Sequence, residues 1–279
     1  MVKSYTPASV AEALEILNTT DAKIYAGGTD IMVNPSADAT YMFTHKIRGI
    51  DDIYEENGFL HIGSGVIMAD ALKSPLVPEI WKKSIIQIAS PAIRNTATIG
   101  GNICNASPAA DSLPFLFAAD SAIVTAHLDN GSVIYTETPI NKFIIGVKKT
   151  ILKKGELVTG VKIPTAAYTG FTHCVFEKVA SRKAEAISKL TFIGLAKVRG
   201  NIVEDFRTAY GAVSITTLRK PEIDSILKGK TVDYVKVSVE SIAEMYAPFI
   251  RPIDDQRSTA DYRKTVALNL LKDFLINIK

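Results

Sequence analysis

The first third of the chain alternates between helical and strand periods. Apolar residues recur at helical spacing near the N-terminus: Val10, Leu14 and Leu17. Thr6 followed by Pro7 predicts the cap and first turn of that helix. Residues 22–26 and 59–63 are apolar runs typical of strands, and an Asn57-Gly58 turn precedes the second run. These patterns predict a helix with short strands around it.

The middle of the chain combines a helix, a loop and a pair of strands. Residues 78–89 predict a helix of about three turns, with these apolar side chains on one side: Ile80, Trp81, Ile85 and Ile88. Residues 90–111 are rich in small and turn-forming residues and predict mostly loop. A turn at 129–131 joins the apolar runs 121–126 and 133–136 into a predicted hairpin.

The second half of the chain changes character after a strand-like run at 157–163. Residues 190–198 alternate between apolar and polar positions, and Gly200-Asn201 predicts a turn into a partner strand. The last hundred or so residues become helical, with two apolar stripes: Val239, Ile242, Ala243 and Tyr246, then Tyr262, Val266, Leu270, Phe274 and Ile278. A composition change at 164–170 predicts a domain boundary. The fold class predicted is α+β, with domains at 1–165 and 166–279.

Composition narrows the function classes only modestly. The chain has 279 residues, 47% of them hydrophobic, and a formal net charge of +3 without long runs of like charge. An arm that binds nucleic acid is therefore not indicated. Only Cys104 and Cys174 are cysteines, too few for a protein-held iron–sulfur cluster. No segment has the length of a membrane span or the pattern of a signal peptide, so we expect a cytoplasmic protein.

A first glycine-rich loop follows the first predicted strand. Gly27 and Gly28 come directly after an apolar run, where glycines permit positive φ and close approach of a ligand to the backbone. Successive exposed amides form a concavity suited to phosphate. Thr29 adds a hydroxyl donor, and Asp30 is expected to order the loop or to meet a ribose hydroxyl. A simple turn between strands is the alternative, and neither a GxGxxG nor a P-loop pattern is present.

A second glycine-rich segment lies about seventy residues later. It combines two glycines, Gly100 and Gly101, with a set of small polar residues: Thr98, Asn102, Asn105, Ser107 and, shortly after, Asp111. Many small polar groups bounded by apolar helices indicate a pocket that could bind a diphosphate, a ribose and a flavin ring. An ordered surface loop is the alternative. Taken together, the two segments predict a pair of backbone-amide cradles.

At these two segments the chain resembles the FAD-binding subunits of molybdenum hydroxylases, such as those of xanthine, carbon monoxide and nicotinate dehydrogenases. Residues 25–31 (YAGGTDI) and 98–111 (TIGGNICNASPAAD) are similar to the two FAD-binding signatures of that family. Residues 94–95, 176–183 and 255–263 extend the resemblance along the chain. One departure is that Ala186 stands where the family usually has an acidic residue, while Glu185 lies one place earlier.

The resemblance implies a fold, a cofactor and a set of binding residues. Residues 1–165 would form a two-subdomain FAD-binding domain of the vanillyl-alcohol oxidase type, and 166–279 a smaller α+β domain. The cofactor implied is FAD. The residues implied to bind it are Ile24, Tyr25, Ala26, Gly27, Gly28, Thr29, Asp30, Ile31, Thr98, Gly101, Asn102, Cys104, Asn105, Asp111, Leu157, Val158 and Lys178. No catalytic residue and no metal ligand is implied.

The resemblance also implies a role in electron transfer. The partners would be a molybdenum-cofactor subunit and an iron–sulfur subunit, with electrons passed on to NAD or another acceptor. Lys178 or Arg182 could stabilise reduced flavin, although a solvated basic stretch would explain both residues equally well. Two alternatives stay open: a stand-alone FAD-dependent oxidase or dehydrogenase, and a scaffold of the same fold without a cofactor. For Cys104, packing is favoured over a reactive thiol.

Overall fold

The computed structural model describes residues 4–36 and 38–279. The strands of these ranges are β1 Ser4–Tyr5, β2 Lys23–Tyr25, β3 Tyr41–Phe43, β4 Ile53–Glu56, β5 Phe59–Gly63, β6 Ala122–Asp129, β7 Ser132–Pro139, β8 Ile144–Gly146, β9 Lys149–Thr150, β10 Leu157–Pro164, β11 His173–Val179, β12 Leu190–Arg199, β13 Ile202–Gly211 and β14 Leu218–Arg219. The α-helices are α1 Val10–Thr19, α2 Met68–Lys73, α3 Glu79–Ile85, α4 Pro91–Arg94, α5 Ile99–Asn105, α6 Leu113–Ala118, α7 Ile140–Phe143, α8 Pro221–Asp224, α9 Val232–Val237, α10 Val239–Tyr246 and α11 Ala260–Ile276. Short 3₁₀ helices cover Ile31–Val33, Thr165–Ala167 and Ser225–Leu227.

The contacts divide the chain into two units, each with its own sheets. Unit 1 comprises Met1–Val77, Ser90–Ala106 and Ser121–Ile163. It holds a parallel three-stranded sheet in the order β1-β3-β2 and a five-stranded sheet in the order β4-β5-β10-β6-β7. Helix α1 packs its buried face, which includes Leu14 and Leu17, against Ala126 and Leu157 of the larger sheet. Burial of this apolar surface stabilises the unit.

Unit 2 comprises Pro78–Ala89, Ser107–Asp120 and Pro164–Lys279. Its antiparallel sheet has the order β11-β12-β13-β14. One apolar cluster joins this sheet to the C-terminal helices; Phe192, Tyr210 and Phe274 are fully buried in it. The segments 78–89 and 107–120 belong to this unit although they are distant from the rest of it in sequence.

Several elements confirm the predictions made from the sequence. The turn residues Asn130 and Gly131 both have positive φ, 48° and 81°, as a tight hairpin between β6 and β7 requires. Residues 190–199 and 202–211 form the second expected pair of strands, and 157–164 is a strand. The stripe of α10 is buried as expected: Val239, Ile242, Ala243 and Tyr246. The α+β class is therefore correct.

The start of one helix and the end of another differ from the predictions. Helix α1 begins at Val10, not at Pro7, because the Oγ of Ser9 accepts the backbone N–H of Glu12 at 3.2 Å and so caps the helix. Helix α3 ends at Ile85 rather than continuing to Ala89, and Ala89 has a φ of +42°, which is incompatible with a continued right-handed helix.

A predicted loop was wrong, and a predicted apolar stripe was wrong at one position. The segment 90–111 contains α4 and α5, since Ser90 and Thr98 both act as N-caps. In the predicted stripe of the last helix, Phe274 and Ile278 are buried, and Val266 and Leu270 pack against the same core. Tyr262 is exposed instead. The buried face of α11 also includes residues that the pattern did not name: Arg263, Ala267, Leu271 and Leu275.

Candidate functional site

The first glycine loop leaves four successive backbone amides open. After β2, Gly27, Gly28, Thr29 and Asp30 connect to the 3₁₀ helix that begins at Ile31. Within the described ranges, no protein atom accepts the N–H groups of these four residues. The stretch Gly27–Thr29 is only half-buried. An anionic ligand could therefore reach the amides without displacing a protein contact, as phosphate-binding loops require.

Each glycine of this loop is required by a specific neighbour. A Cβ on Gly27 would stand 1.9 Å from the carbonyl oxygen of Thr96, so any side chain there would push two backbone segments apart. Gly28 has a φ of +74°, and a Cβ there would meet the Tyr25 hydroxyl at 2.1 Å. The residues present thus fit a closely packed loop whose backbone N–H groups are suited to bind a diphosphate.

The second glycine segment is not an amide cradle, which corrects the sequence-based expectation. It forms helix α5, and its first amides already have acceptors. The N–H of Gly100 donates to Ser64 O at 2.9 Å, and the N–H of Gly101 donates to Thr98 Oγ1 at 3.0 Å. Gly101 is exposed, and a Cβ there would touch the Thr98 hydroxyl at 2.9 Å and nothing else within 4 Å. At Gly101 the second segment therefore presents a surface without a side chain, rather than free donors.

The two segments meet inside unit 1. Besides the approach of Gly27 to Thr96, the Asn105 side-chain amide donates to Asp30 Oδ1 at 3.2 Å. The Nζ of Lys148 lies 3.9 Å from Asp30 Oδ2. These contacts place a donor and a positive charge near the carboxylate of Asp30 and join the first loop to α5.

The remaining candidates of unit 1 lie on or next to β2, α5 and β10. Ile24 and Tyr25 lie on β2, and Ala26 follows it. Asn102 is on α5. Leu157 and Val158 start β10, where both side chains are buried and both residues pair with β6 before a register shift between Val158 and Gly160. Their side chains are therefore not exposed to a ligand.

Cys104 lies on α5 and is partly buried. Burial raises the pKa of its thiol to about 12. The reactive thiolate is therefore scarce at neutral pH. A weakly reactive thiol at Cys104 agrees with the interpretation of the sequence.

Asp111 and Lys178 form a buried ion pair in unit 2. The Nζ of Lys178 lies 2.7 Å from Asp111 Oδ2, and the two side chains are 3% and 7% exposed. The same ammonium group donates to the backbone oxygen of Gln87 at 2.8 Å. The Ser188 hydroxyl donates to the other oxygen, Asp111 Oδ1. Two of the three Lys178 donors are thus occupied, which leaves one for a ligand.

Burial and the two hydrogen-bond donors shift the pKa of Asp111 in opposite directions. Burial raises the pKa of the Asp111 carboxyl, while Lys178 and Ser188 act to lower it. Arg182, the other basic candidate, is exposed and donates to the backbone oxygens of Ala184 and Glu185. Arg182 therefore orders its own turn, in which Glu185 has a φ of +51°.

Sequence reasoning missed the residues that hold these candidates in place. Gln87, Ser188 and Thr96 were not named, although each contacts a candidate directly. Gln87 and Thr96 act through backbone oxygens, for which no side-chain signal exists. Ser188 is separated from Asp111 by 77 positions, and only the tertiary fold joins them.

Within 4–36 and 38–279, no group of three or more His, Cys, Asp and Glu side chains is placed to hold a metal ion. Among the helices of these same residues, none is long and apolar enough to cross a membrane.

Two family descriptions match the chain and together cover most of its length. "FAD binding domain in molybdopterin dehydrogenase" matches residues 1–166. "CO dehydrogenase flavoprotein C-terminal domain" matches residues 176–278.

Similar proteins and a similar solved structure agree with these matches. The chain is 27% identical to the carbon monoxide dehydrogenase medium chain of Hydrogenophaga pseudoflava over 277 residues, covering 96% of this chain and 93% of the relative. It is 30% identical to the glyceraldehyde dehydrogenase medium chain of Sulfolobus acidocaldarius over 269 residues, covering 92% and 91%. A solved carbon monoxide dehydrogenase from Hydrogenophaga pseudoflava, which lacks the Mo-pyranopterin moiety of its cofactor, has a chain of the same fold; the TM-score is 0.87 at 25% identity, covering 98% of this chain and 95% of that one.

Proposed function

This chain belongs to the family of FAD-binding domains in molybdopterin dehydrogenases, and on that premise we propose that it is the electron-output subunit of a molybdenum hydroxylase complex. Its partners would be a molybdenum-cofactor subunit and an iron–sulfur subunit, and its acceptor NAD or another oxidant. The proposed domains are 1–165 for FAD binding and 166–279 for the C-terminal part. The cytoplasmic location stays a prediction.

The open amides of Gly27, Gly28, Thr29 and Asp30 carry this proposal. They offer four donors to a diphosphate, and no protein atom in the described ranges competes for them. Bound FAD supplies redox chemistry that no side chain of the chain has. The protein's own contribution is to bind and orient the cofactor and to set the charge around it.

The residues divide into groups with different proposed tasks. The first loop, Ile24–Ile31, binds the diphosphate, and Thr98, Gly101, Asn102, Cys104 and Asn105 on and before α5 form the wall beside it. The backbone at Leu157 and Val158 contacts the adenine. Asp111 and Lys178 are proposed to contact the cofactor as an ion pair, with the third Lys178 donor directed at a flavin oxygen or nitrogen.

Substitution of Gly101 by alanine should weaken FAD binding while leaving the stability of the fold nearly unchanged. Alanine favours a helix by about 0.5–1 kcal/mol over glycine, but its Cβ crowds the Thr98 hydroxyl that caps α5. We therefore expect the free energy of unfolding to change by less than about 1 kcal/mol, while FAD affinity falls by about tenfold or more, roughly 1.4 kcal/mol. FAD titration by flavin fluorescence and urea denaturation measure the two effects. An unchanged affinity would remove Gly101 from the site.

The electron route is tested by comparing the isolated chain with its native complex under anaerobic conditions. Xanthine, nicotinate, glyceraldehyde and carbon monoxide serve as reductants, and the flavin absorbance band is the readout. We expect the FAD-loaded isolated chain to stay oxidised with all four, and one of them to bleach the flavin in the complex. Bleaching in the isolated chain would identify a stand-alone dehydrogenase instead.

A further inference from the structure

Ser188 lies behind the buried ion pair of unit 2 and completes its hydrogen bonding. Ser188 is 2% exposed, and its hydroxyl donates to Asp111 Oδ1. Lys178 occupies the other carboxylate oxygen, Oδ2, at 2.7 Å. Each oxygen of the Asp111 carboxylate therefore has its own donor, one charged and one neutral. A buried carboxylate is stable only when its oxygens are satisfied in this way.

The backbone around Asp111 is fixed at two points, and the carboxylate itself stays held by the ion pair with Lys178 when the Ser188 hydroxyl is removed. The indole Nε1 of Trp81 donates to Ser112 O at 3.1 Å. The N–H of Ala212 donates to Pro108 O at 2.7 Å. Both anchors lie within unit 2, on either side of Asp111. Loss of the Ser188 hydroxyl would therefore change the proton affinity of Asp111 rather than its position.

Three further lysines lie on or beside the neighbouring elements, and two of them, Lys82 and Lys189, have other contacts. On α3, which packs against β11, Lys82 pairs with Glu79 at 2.8 Å. The remaining charge on that helix is Lys83, and Lys189 on the Ser188 side lies over the Tyr262 ring at 5.1 Å. Lys178 and Ser188 are the groups that oppose the burial of Asp111. The protonation of Asp111 thus depends on two donors, and Ser188 is one of them.

We propose that Ser188 is a positioning residue that keeps Asp111 ionised and paired with Lys178 beside bound FAD. This inference rests on the proposed contact of Asp111 and Lys178 with the cofactor. With both donors present, the pair is neutral overall. Without the Ser188 hydroxyl, Asp111 takes up a proton from solvent at a higher pH, and the ammonium charge of Lys178 is left uncompensated. A net positive charge next to a flavin favours its reduced, anionic form.

The midpoint potential of the flavin, followed as a function of pH in the FAD-loaded full chain, tests the proposal. As pH falls, we expect the midpoint potential of Ser188→Ala to rise where Asp111 takes up its proton. The pH of this inflection should be about one to two units higher than in the parent, because that is the shift produced by loss of a hydrogen bond to a charged group. Ser188→Thr keeps the hydroxyl and should restore the parent curve. Asp111→Asn cannot ionise and should abolish the inflection.

Thr191→Val is the matched control. It removes a buried hydroxyl three positions from Ser188 that, in the described part of the chain, has no hydrogen-bond partner, so the curve should stay that of the parent. An equal shift in this variant would overturn the proposal, because any buried hydroxyl would then have the same effect. The proposal also fails if Ser188→Ala shows no raised inflection across roughly pH 5–9, the range reached by buried carboxyls.

The variants also distinguish failure of this inference from failure of the proposed function. If Asp111→Asn alters the potential but Ser188→Ala matches the parent, only the role of Ser188 is wrong. If Asp111→Asn itself leaves both the potential and FAD affinity unchanged, the ion pair does not act on the flavin. The assignment of Asp111 and Lys178 to the cofactor site is then wrong as well.

Discussion

Lys178→Met should lower the free energy of unfolding by about 3–5 kcal/mol, the usual cost of removing one partner of a buried ion pair. The reason is the geometry of the pair: both side chains are almost completely buried, and the carboxylate of Asp111 would lose its charged donor. The measurement is urea denaturation at neutral pH. The matched control is Lys73→Met, which breaks the exposed pair between Lys73 and Asp70 and should cost less than about 1 kcal/mol.

The cost of Lys178→Met should depend on pH in a defined direction. In the variant, burial without the ammonium group raises the pKa of Asp111 above its unfolded value. A carboxyl whose pKa is raised by folding is tolerated when protonated and destabilises the fold as pH rises through the raised pKa. The loss should therefore be smaller at about pH 4 than at about pH 8. A loss no greater than that of Lys73→Met would show that the pair is not structurally coupled.

Gly27→Ala should have the largest effect on FAD binding. The new Cβ would lie 1.9 Å from the backbone oxygen of Thr96. Since the backbone at residue 27 fixes the position of that Cβ, the two glycine segments must separate. Overpacking of this kind costs about 1–3 kcal/mol of stability. We expect FAD affinity to fall by about a hundredfold, roughly 2.7 kcal/mol, because the open amides would no longer face one ligand together.

Gly146→Ala is the matched control for this substitution. Gly146 also belongs to unit 1 and has no positive φ, and a Cβ there makes only an ordinary contact of 3.7 Å with Lys149. It should retain parental FAD affinity in the same fluorescence titration. If Gly27→Ala also retained parental affinity, the first loop could not be the diphosphate site.

Local features of the fold were predictable because they depend on residues close in sequence. The Asn130-Gly131 hairpin follows from the positive φ that those two residues tolerate. The buried stripe of α10 follows from its helical spacing. Helix α5 was not predicted, because Gly100 and Gly101 normally disfavour a helix. In the structure, the Thr98 cap and the packing of Gly100 against Ser64 stabilise it.

In the candidate site too, features that depend on neighbouring residues were predictable, and contacts between residues distant in sequence were not. The first glycine loop was recognisable because glycines after a strand have a direct backbone meaning. By contrast, the hydrogen bond from Ser188 to Asp111 and the approach of Thr96 to Gly27 join residues more than sixty positions apart. No local pattern encodes such contacts. They arise only when the two units have folded.

The central claim is that the open amides of the first loop bind the diphosphate of FAD. Backbone ¹⁵N–¹H chemical shifts of Gly27, Gly28 and Thr29, recorded while FAD or ADP is added to the full chain, test it most directly. The account predicts large shifts at these amides with both ligands, because both carry the diphosphate. If FAD binds and these three signals stay where they were, the claim is contradicted.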